Sequence, residues 1–394
     1  MQARATQWLS QFNLDFAGFT IHDLRVDGMP AQYRREEREL IITPANAIGD
    51  EALFEVVIHY SGTPGQNLRL TQYPFAGGWR RYDDGVYVAS EPDGASLWYP
   101  VNDHPTDKAS YTLIVTVVEP YVVAANGTLQ DVRSTAGKRT YTWQTDHPVA
   151  SYLVTLNIAT FERQDDEAVN GVPIRNYFPE ERYSSGVRAF AQTPDMMELF
   201  NTHFSPYPFE AYGGVVANTR LPFALETQTL SLFGLDILNG DRENSSIIAH
   251  ELAHSWFGNS ITPKTWRDIW LNEGFATYAS YLWLEESIGQ PTASVVFDAW
   301  YDAVKDRQVR IGDPGVENLF ALSVYFRGAW TLHALRLHVG DDTFFEIMQT
   351  YHREYAYRNA EIADFIAVAE NVSGKSLGSF FDLWLYQPLM PPKP

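Results

Sequence analysis

Between Asp15 and Glu162 apolar and polar positions alternate with a period of two in segments rich in Val, Ile, Thr and Tyr: "ELIITP", "ALFEVVIHYSG", "SYTLIVTVVEP", "KRTYTWQT" and "SYLVTLNIATF". Turn signals such as Asp27-Gly28, Ser61-Gly62, Asn126-Gly127 and Ala136-Gly137 separate them, as antiparallel strands require. After Asn170-Gly171 the spacing becomes helical, in "PDMMELFNTHF", "ENSSIIAHELAHSWFG", "TWRDIWLNEGFATYASYLWLEESIG", "GAWTLHALRLHVG" and "AEIADFIAVAENVSG", with glycines as terminators. The pattern predicts an α+β chain: an N-terminal antiparallel β-sheet domain over residues 1–162 and a mainly α-helical domain over 163–394. No internal repeat is evident, and the Pro-rich end "QPLMPPKP" reads as a frayed tail.

Composition narrows the partners. The 394 residues carry 29 basic and 49 acidic side chains, a net charge of −20. That balance argues against nucleic acid, whose phosphates need a basic surface. It suits either a solvated surface or a field that attracts cationic peptides. With no cysteine there are neither disulfides nor thiolate ligands, so a zinc site would have to use His, Asp or Glu. The longest apolar run, from Tyr111, is cut by Thr, Glu and Pro and falls short of the roughly 20 residues of a membrane span. The N-terminus lacks the apolar stretch of a signal peptide. The chain reads as soluble, with a cytoplasmic or extracytoplasmic location left open.

One stretch carries chemistry. In "IAHELAHSWFG" two imidazoles, His250 and His254, stand four residues apart with Glu251 beside the first. Asn244 or Ser245 is the expected N-cap and Gly258 the expected C′ residue, which puts the motif in mid-helix with both histidines on one face. Two imidazoles so placed suit one Zn²⁺, with Glu251 within reach of a water. An amphipathic helix with two hydrogen-bonded histidines would look similar. Glu273, in "WRDIWLNEGFATY", follows His254 after eighteen intervening residues, enough for a turn and an antiparallel return. Its apolar neighbours Trp270, Leu271, Phe275 and Ala276 suggest a buried helix, where an unpaired carboxylate is costly. Three protein ligands, with no fourth suggested nearby, leave a corner for water, which is the pattern of a catalytic zinc.

"HELAHSWFGN", the spacer and "WLNEGFATY" resemble the aminopeptidase N and leukotriene hydrolase family of zinc peptidases. Thermolysin-like endopeptidases share H-E-x-x-H but carry their later Glu in a different context. The resemblance implies a saddle-like β domain, a thermolysin-like catalytic domain and one zinc per chain on His250, His254 and Glu273. It also implies Glu251 as general base and hydrolysis of the N-terminal residue of peptides with a free N-terminus. "LPFALETQT" resembles the family's G-x-M-E-N strand, which makes Glu226 the residue for the substrate amine, although Phe223 and Thr227 depart from that pattern. In "ASEPDGASLWYP", Glu91 falls where members carry a second amine-binding residue, and Ala89 replaces a frequent Gln. "SVYFRGAW" resembles the Y-x-x-G helix start that assigns Tyr325 to the oxyanion. Asp268 and Asn272 could orient a ligand imidazole or only serve their helix.

Against the family pattern, strands are expected before the point where this sequence begins, so a missing N-terminal segment or a second chain completing the β domain is an expectation. The helical C-terminal domain of many relatives is likewise not matched, which implies a cleft more open on the leaving-group side. Endopeptidase or epoxide-hydrolase chemistry, or an inactive peptide-binding scaffold, are the competing readings.

Overall fold

The computed structural model describes residues 1–64, 77–167, 170–239 and 242–394. In chain order the strands of the first half are β1 (Gln2–Arg4), β2 (Phe12–Asp15), β3 (Thr20–Val26), β4 (Met29–Pro30), β5 (Gln32–Glu36), β6 (Glu39–Thr43), β7 (Leu53–Ser61), β8 (Gly78–Tyr82) and β9 (Gly85–Ala89). There follow β10 (Thr112–Val118), β11 (Val122–Ala125), β12 (Thr128–Thr135), β13 (Lys138–Gln144), β14 (Leu156–Ala159), β15 (Phe161–Glu167) and β16 (Pro173–Pro179). Helices then alternate with short strands: α1 (Tyr183–Phe190), α2 (Thr193–His203), β17 (Gly214–Val216), β18 (Ser231–Phe233), α3 (Arg242–Ala253), β19 (Thr262–Pro263), α4 (Trp270–Ile288) and α5 (Gln290–Val304). The chain closes with α6 (Leu322–Val339), α7 (Asp341–Tyr355), β20 (Asn359–Ala360), α8 (Ile362–Ser373) and α9 (Gly378–Phe381).

The alternating segments do form antiparallel sheets, in the orders β1-β7-β3-β4, β2-β6-β5, β11-β14-β9-β8 and β10-β13-β12. Asp27-Gly28 and Ala136-Gly137 turn the chain with positive φ at both residues, the backbone that matches strand twist in a tight hairpin. Their inward faces make two cores, one around Leu24, Leu40, Ile42 and Val56, the other around Val88, Trp143 and Leu156. The helices share one large core in which Trp256, Trp270, Phe275 and Tyr351 are buried. Among the described residues no helix is long and apolar enough to cross a membrane.

Four features differ from the pattern-based expectation. "SYLVTLNIATF" is not one strand: Ser151–Leu153 form a 3₁₀ turn before β14, since the side chains there are buried on all sides rather than alternately. The helical half opens on a mixed sheet, β15-β16-β17-β18, with parallel pairing from β16 onward. β16 from Ile174 onward, β17 and β18 are buried, so they lack the alternation that marks a strand in sequence. α3 begins before Asn244, whose amide donates to the carbonyls of Asp236 and Ile237 at 3.1 and 3.0 Å instead of capping the helix.

The C-terminal tail is tied down rather than frayed. The buried Arg327 guanidinium, on α6, donates to the carbonyls of Leu383, Trp384, Gln387, Pro388 and Val309. Burial pushes its pKa down to about 10. Tyr301 donates to the Pro391 carbonyl and Lys393 lies over Tyr301 and Trp330. Proline carbonyls remain free to accept, which is why a Pro-rich end can serve as this partner.

Candidate metal centre

α3 ends at Ala253, one turn earlier than the Gly258 stop expected, so His254 is the first residue beyond it. The amide of His254 still donates to the His250 carbonyl at 3.2 Å, which keeps the two imidazoles on one face. α4 brings Glu273 to them from its first turn. This helix is buried from Trp270 to Leu284, so its position is fixed on all sides. A pair of glycines sets its distance from α6: a Cβ on Gly328 would lie 2.6 Å from the Gly274 Cα. Only glycine at both positions lets these backbones touch, and the contact carries Tyr325 alongside Glu273. The Tyr325 ring stacks on that of His250 with centroids 6.0 Å apart.

The three candidate ligands converge. His250 Nε2 is 3.1 Å from His254 Nε2 and 3.3 Å from Glu273 Oε2, and His254 Nε2 is 3.5 Å from that same oxygen. A tetrahedral zinc with bonds of about 2.0 to 2.1 Å needs donor atoms about 3.3 Å apart. The carboxylate oxygen, although close to both imidazoles, makes no well-aligned hydrogen bond with either and is buried without a partner. The spacing of the three donor atoms and the unpartnered carboxylate oxygen fit a zinc ion. The other ring nitrogen of His254 lies 3.0 Å from the Phe257 carbonyl. As a donor there, Nδ1–H leaves Nε2 with its lone pair free for a metal. His250 Nδ1 has Thr277 Oγ1 at 3.5 Å.

Around these donors stand three more carboxyls. Glu251 and Glu226 are buried, and Glu251 Oε2, Glu226 Oε1 and Glu91 Oε1 are enclosed without a hydrogen-bond partner. Glu226, Glu251 and His254 also lie close enough to share an ion. Burial first, then the mutual repulsion of the carboxylates, holds Glu91 and Glu251 well above the usual range, and burial raises Glu226 as well. Burial opposes the charge of Glu273 too, yet the two imidazoles beside it bring it down to about 2. For His254 burial is overcome by Glu226, Glu273 and Glu251, which raise it to about 10, while burial lowers His250. Burial and the same carboxylates keep the Tyr325 phenol protonated far above its ordinary value. The site gathers four carboxyls, whose charged forms a bound cation would favour.

Glu226 does not stand on the regular strand expected from "LPFALETQT". Leu225 makes a single bridge to Leu232, and the chain then turns tightly, with Thr229 at φ 68°, a conformation costly for a β-branched residue. Arg175 donates to the Thr229, Ala125 and Gly127 carbonyls, the Gly127 amide donates to Thr229 Oγ1, and Asn126 donates to the Gln228 carbonyl. These bonds fasten the turn to the β half. Glu91 follows β9 in a turn of that half. Asp268 accepts from Thr265 and the Ile362 amide, so it holds the approach to α4 and touches neither imidazole. Asn272 donates to the buried Tyr152 hydroxyl, 3.3 Å away, which in turn donates to the Gly258 carbonyl. Pattern reading missed Gly274, Tyr152 and Asn259, although Asn259 ends the quoted "HELAHSWFGN" and Gly274 lies within "WLNEGFATY".

The chain matches the Peptidase family M1 domain over residues 188–384 and the Peptidase M1 N-terminal domain over residues 7–153. It is similar to Aminopeptidase M1 of Arabidopsis thaliana, 25% identical over 318 residues that cover 75% of this chain and 36% of that protein. With Probable aminopeptidase 2 of Sulfurisphaera tokodaii it shares 27% identity over 395 residues, 94% of this chain and 49% of the other. The chain thus spans less than half the length of these two relatives. In three dimensions it is similar to an M1 zinc metallopeptidase from Deinococcus radiodurans, with a TM-score of 0.88 at 28% identity, covering 100% of this chain and 89% of that one. A mutant of the Deinococcus enzyme has been solved bound to a Tyr-Ser-Ala substrate.

Proposed function

The chain belongs to peptidase family M1, and from that premise we propose that it is a zinc-dependent aminopeptidase that removes the N-terminal residue of peptides. The observation that carries this reading is the convergence of His250, His254 and Glu273 within 3.1 to 3.5 Å of one another, beside three further enclosed carboxyls. In this reading those three residues hold the zinc. Bound there, zinc supplies Lewis acidity that polarises a peptide carbonyl and makes a water acidic enough to attack near neutral pH.

The remaining work falls to the chain. Glu251 takes a proton from the attacking water and returns one to the nitrogen of the breaking C–N bond, so its carboxylate ends as it began. The Tyr325 hydroxyl donates to the oxygen that gains charge as the carbonyl becomes tetrahedral. Glu226 and Glu91 receive the substrate's α-amino group, which is mostly protonated at pH 7 because its ordinary pKa is about 7.7 to 8.0. The grouping of carboxyls supports this reading, since enclosed carboxyl oxygens of Glu226 and Glu91 without a partner suit a bound ammonium. Fixing the ammonium also fixes how far along the substrate the reacting carbonyl lies, and that restricts cleavage to the first peptide bond.

The test compares an aminoacyl anilide carrying a free amine with its N-acetylated form. The blocked substrate leaves two buried carboxyls unpaired, a loss of about 3 kcal/mol or more, so kcat/KM should fall at least about 100-fold. Equal cleavage of both forms would remove Glu226 and Glu91 from this role and favour an endopeptidase.

A further inference from the structure

Lys108 belongs to the β half of the chain, yet its ammonium is spent on the helical half. Nζ donates to the carbonyls of Asn259 at 3.0 Å and Ser260 at 2.9 Å, with that of Arg358 at 3.4 Å. Burial pushes its pKa down to about 7. An ammonium withdrawn from water onto neutral carbonyls is a costly arrangement, and what it grips explains why it is kept. Residues 257–262 form the loop that follows α3 and leads into β19. The loop is tight: the Gly258 amide donates to the Ile261 carbonyl, the Asn259 amide to the His254 carbonyl, and Thr262 Oγ1 to the Gly258 carbonyl.

Two arms leave this loop toward the site. The Phe257 carbonyl accepts from His254 Nδ1, and the buried Asn259 amide donates to the Glu226 carbonyl at 2.7 Å. One arm orients a candidate metal ligand, the other the backbone of the candidate amine receptor. The Lys108 side of the clamp is itself anchored. Asn359 donates to the Pro105 carbonyl, and buried Asp103 accepts from the Ser96 amide and Ser151 Oγ.

We propose that Lys108 is a positioning residue that clamps the 257–262 loop, so that Asn259 holds Glu226 and the Phe257 carbonyl holds His254 in register with each other. The Glu226 arm rests on the aminopeptidase reading above; the His254 arm rests only on metal binding. Lys108→Met removes the clamp and Asn259→Ala removes one arm.

In the zinc-loaded protein each variant should raise KM for a free-amine anilide about 10-fold while leaving kcat within about threefold. Because the two act in series, the double variant should be no more than about threefold worse than the more severe single. Lys108→Met should also release zinc to a chelator about 10-fold faster, whereas Asn259→Ala, which leaves the Phe257 arm in place, should not. Lys108→Arg, which keeps the charge and several donors, should recover KM to within about threefold; it also reports if the Met variant fails to fold. Melting temperature monitors the fold throughout.

A lower melting temperature with KM and zinc release unchanged would reduce Lys108 to a strut and overturn the proposal, as would multiplicative KM effects in the double variant. If the wild type cleaves free and blocked substrates equally, amine recognition itself has failed; zinc release then still decides the Lys108 claim.

Discussion

Glu251→Gln is expected to retain zinc and substrate binding while losing roughly 10² to 10⁴ in kcat. The substitution keeps the size of a side chain that is 5% exposed but removes its ability to take a proton. The neighbouring His250, His254 and Glu273 are untouched, so the metal content measured on the purified variant should match the wild type. Because the proton moves only in the reacting complex, kcat and kcat/KM should fall together, with KM little changed. The enclosed, unpartnered Oε2 of Glu251 is the structural basis: the oxygen has no structural bond to lose. Turnover near that of the wild type, with zinc present, would refute the base assignment.

Tyr325→Phe should lower kcat by about 10² to 10³, the usual worth of one oxyanion donor. The phenol is kept protonated by burial and by the charges of Glu273, Glu91, Glu226 and Glu251, so it is a donor across the working pH range. Its place is set by the α4–α6 contact at Gly274 and Gly328, and phenylalanine would occupy the same position without the hydroxyl. An effect confined to KM would turn Tyr325 into a binding residue. A bulkier residue at Gly328 would confound the reading, because it would push α6 from α4 and move the ring as well as the rest of the helix.

What the sequence revealed followed from local rules. Two histidines four apart share a helix face by geometry alone, and the apolar company of Glu273 betrayed a buried carboxylate. The antiparallel strands of the first half were legible because one face is wet and the other dry; β16 to β18 were not, since both faces are covered. Helix ends were misread by several residues: Asn244 bonds to the Asp236 and Ile237 carbonyls, a tertiary partner that no capping rule anticipates. The tail was misread because a Pro-rich segment looks unstructured until a distant guanidinium, Arg327, collects its carbonyls. Lys108 and Asn259 escaped for the same reason. Each acts on backbone carbonyls, which every residue has, so the sequence shows no side-chain pairing for either, and the place of Asn259 in "HELAHSWFGN" does not say what it holds.

The central claim is that α3 and α4 together hold one metal ion at three side chains. Anomalous diffraction from crystals of the purified protein at the zinc edge tests it most directly. The account predicts one peak per chain about 2.0 to 2.2 Å from His250 Nε2, His254 Nε2 and a Glu273 oxygen, with solvent at the remaining position. No peak there after zinc is supplied, or a fourth protein side chain closing the coordination sphere, would contradict it.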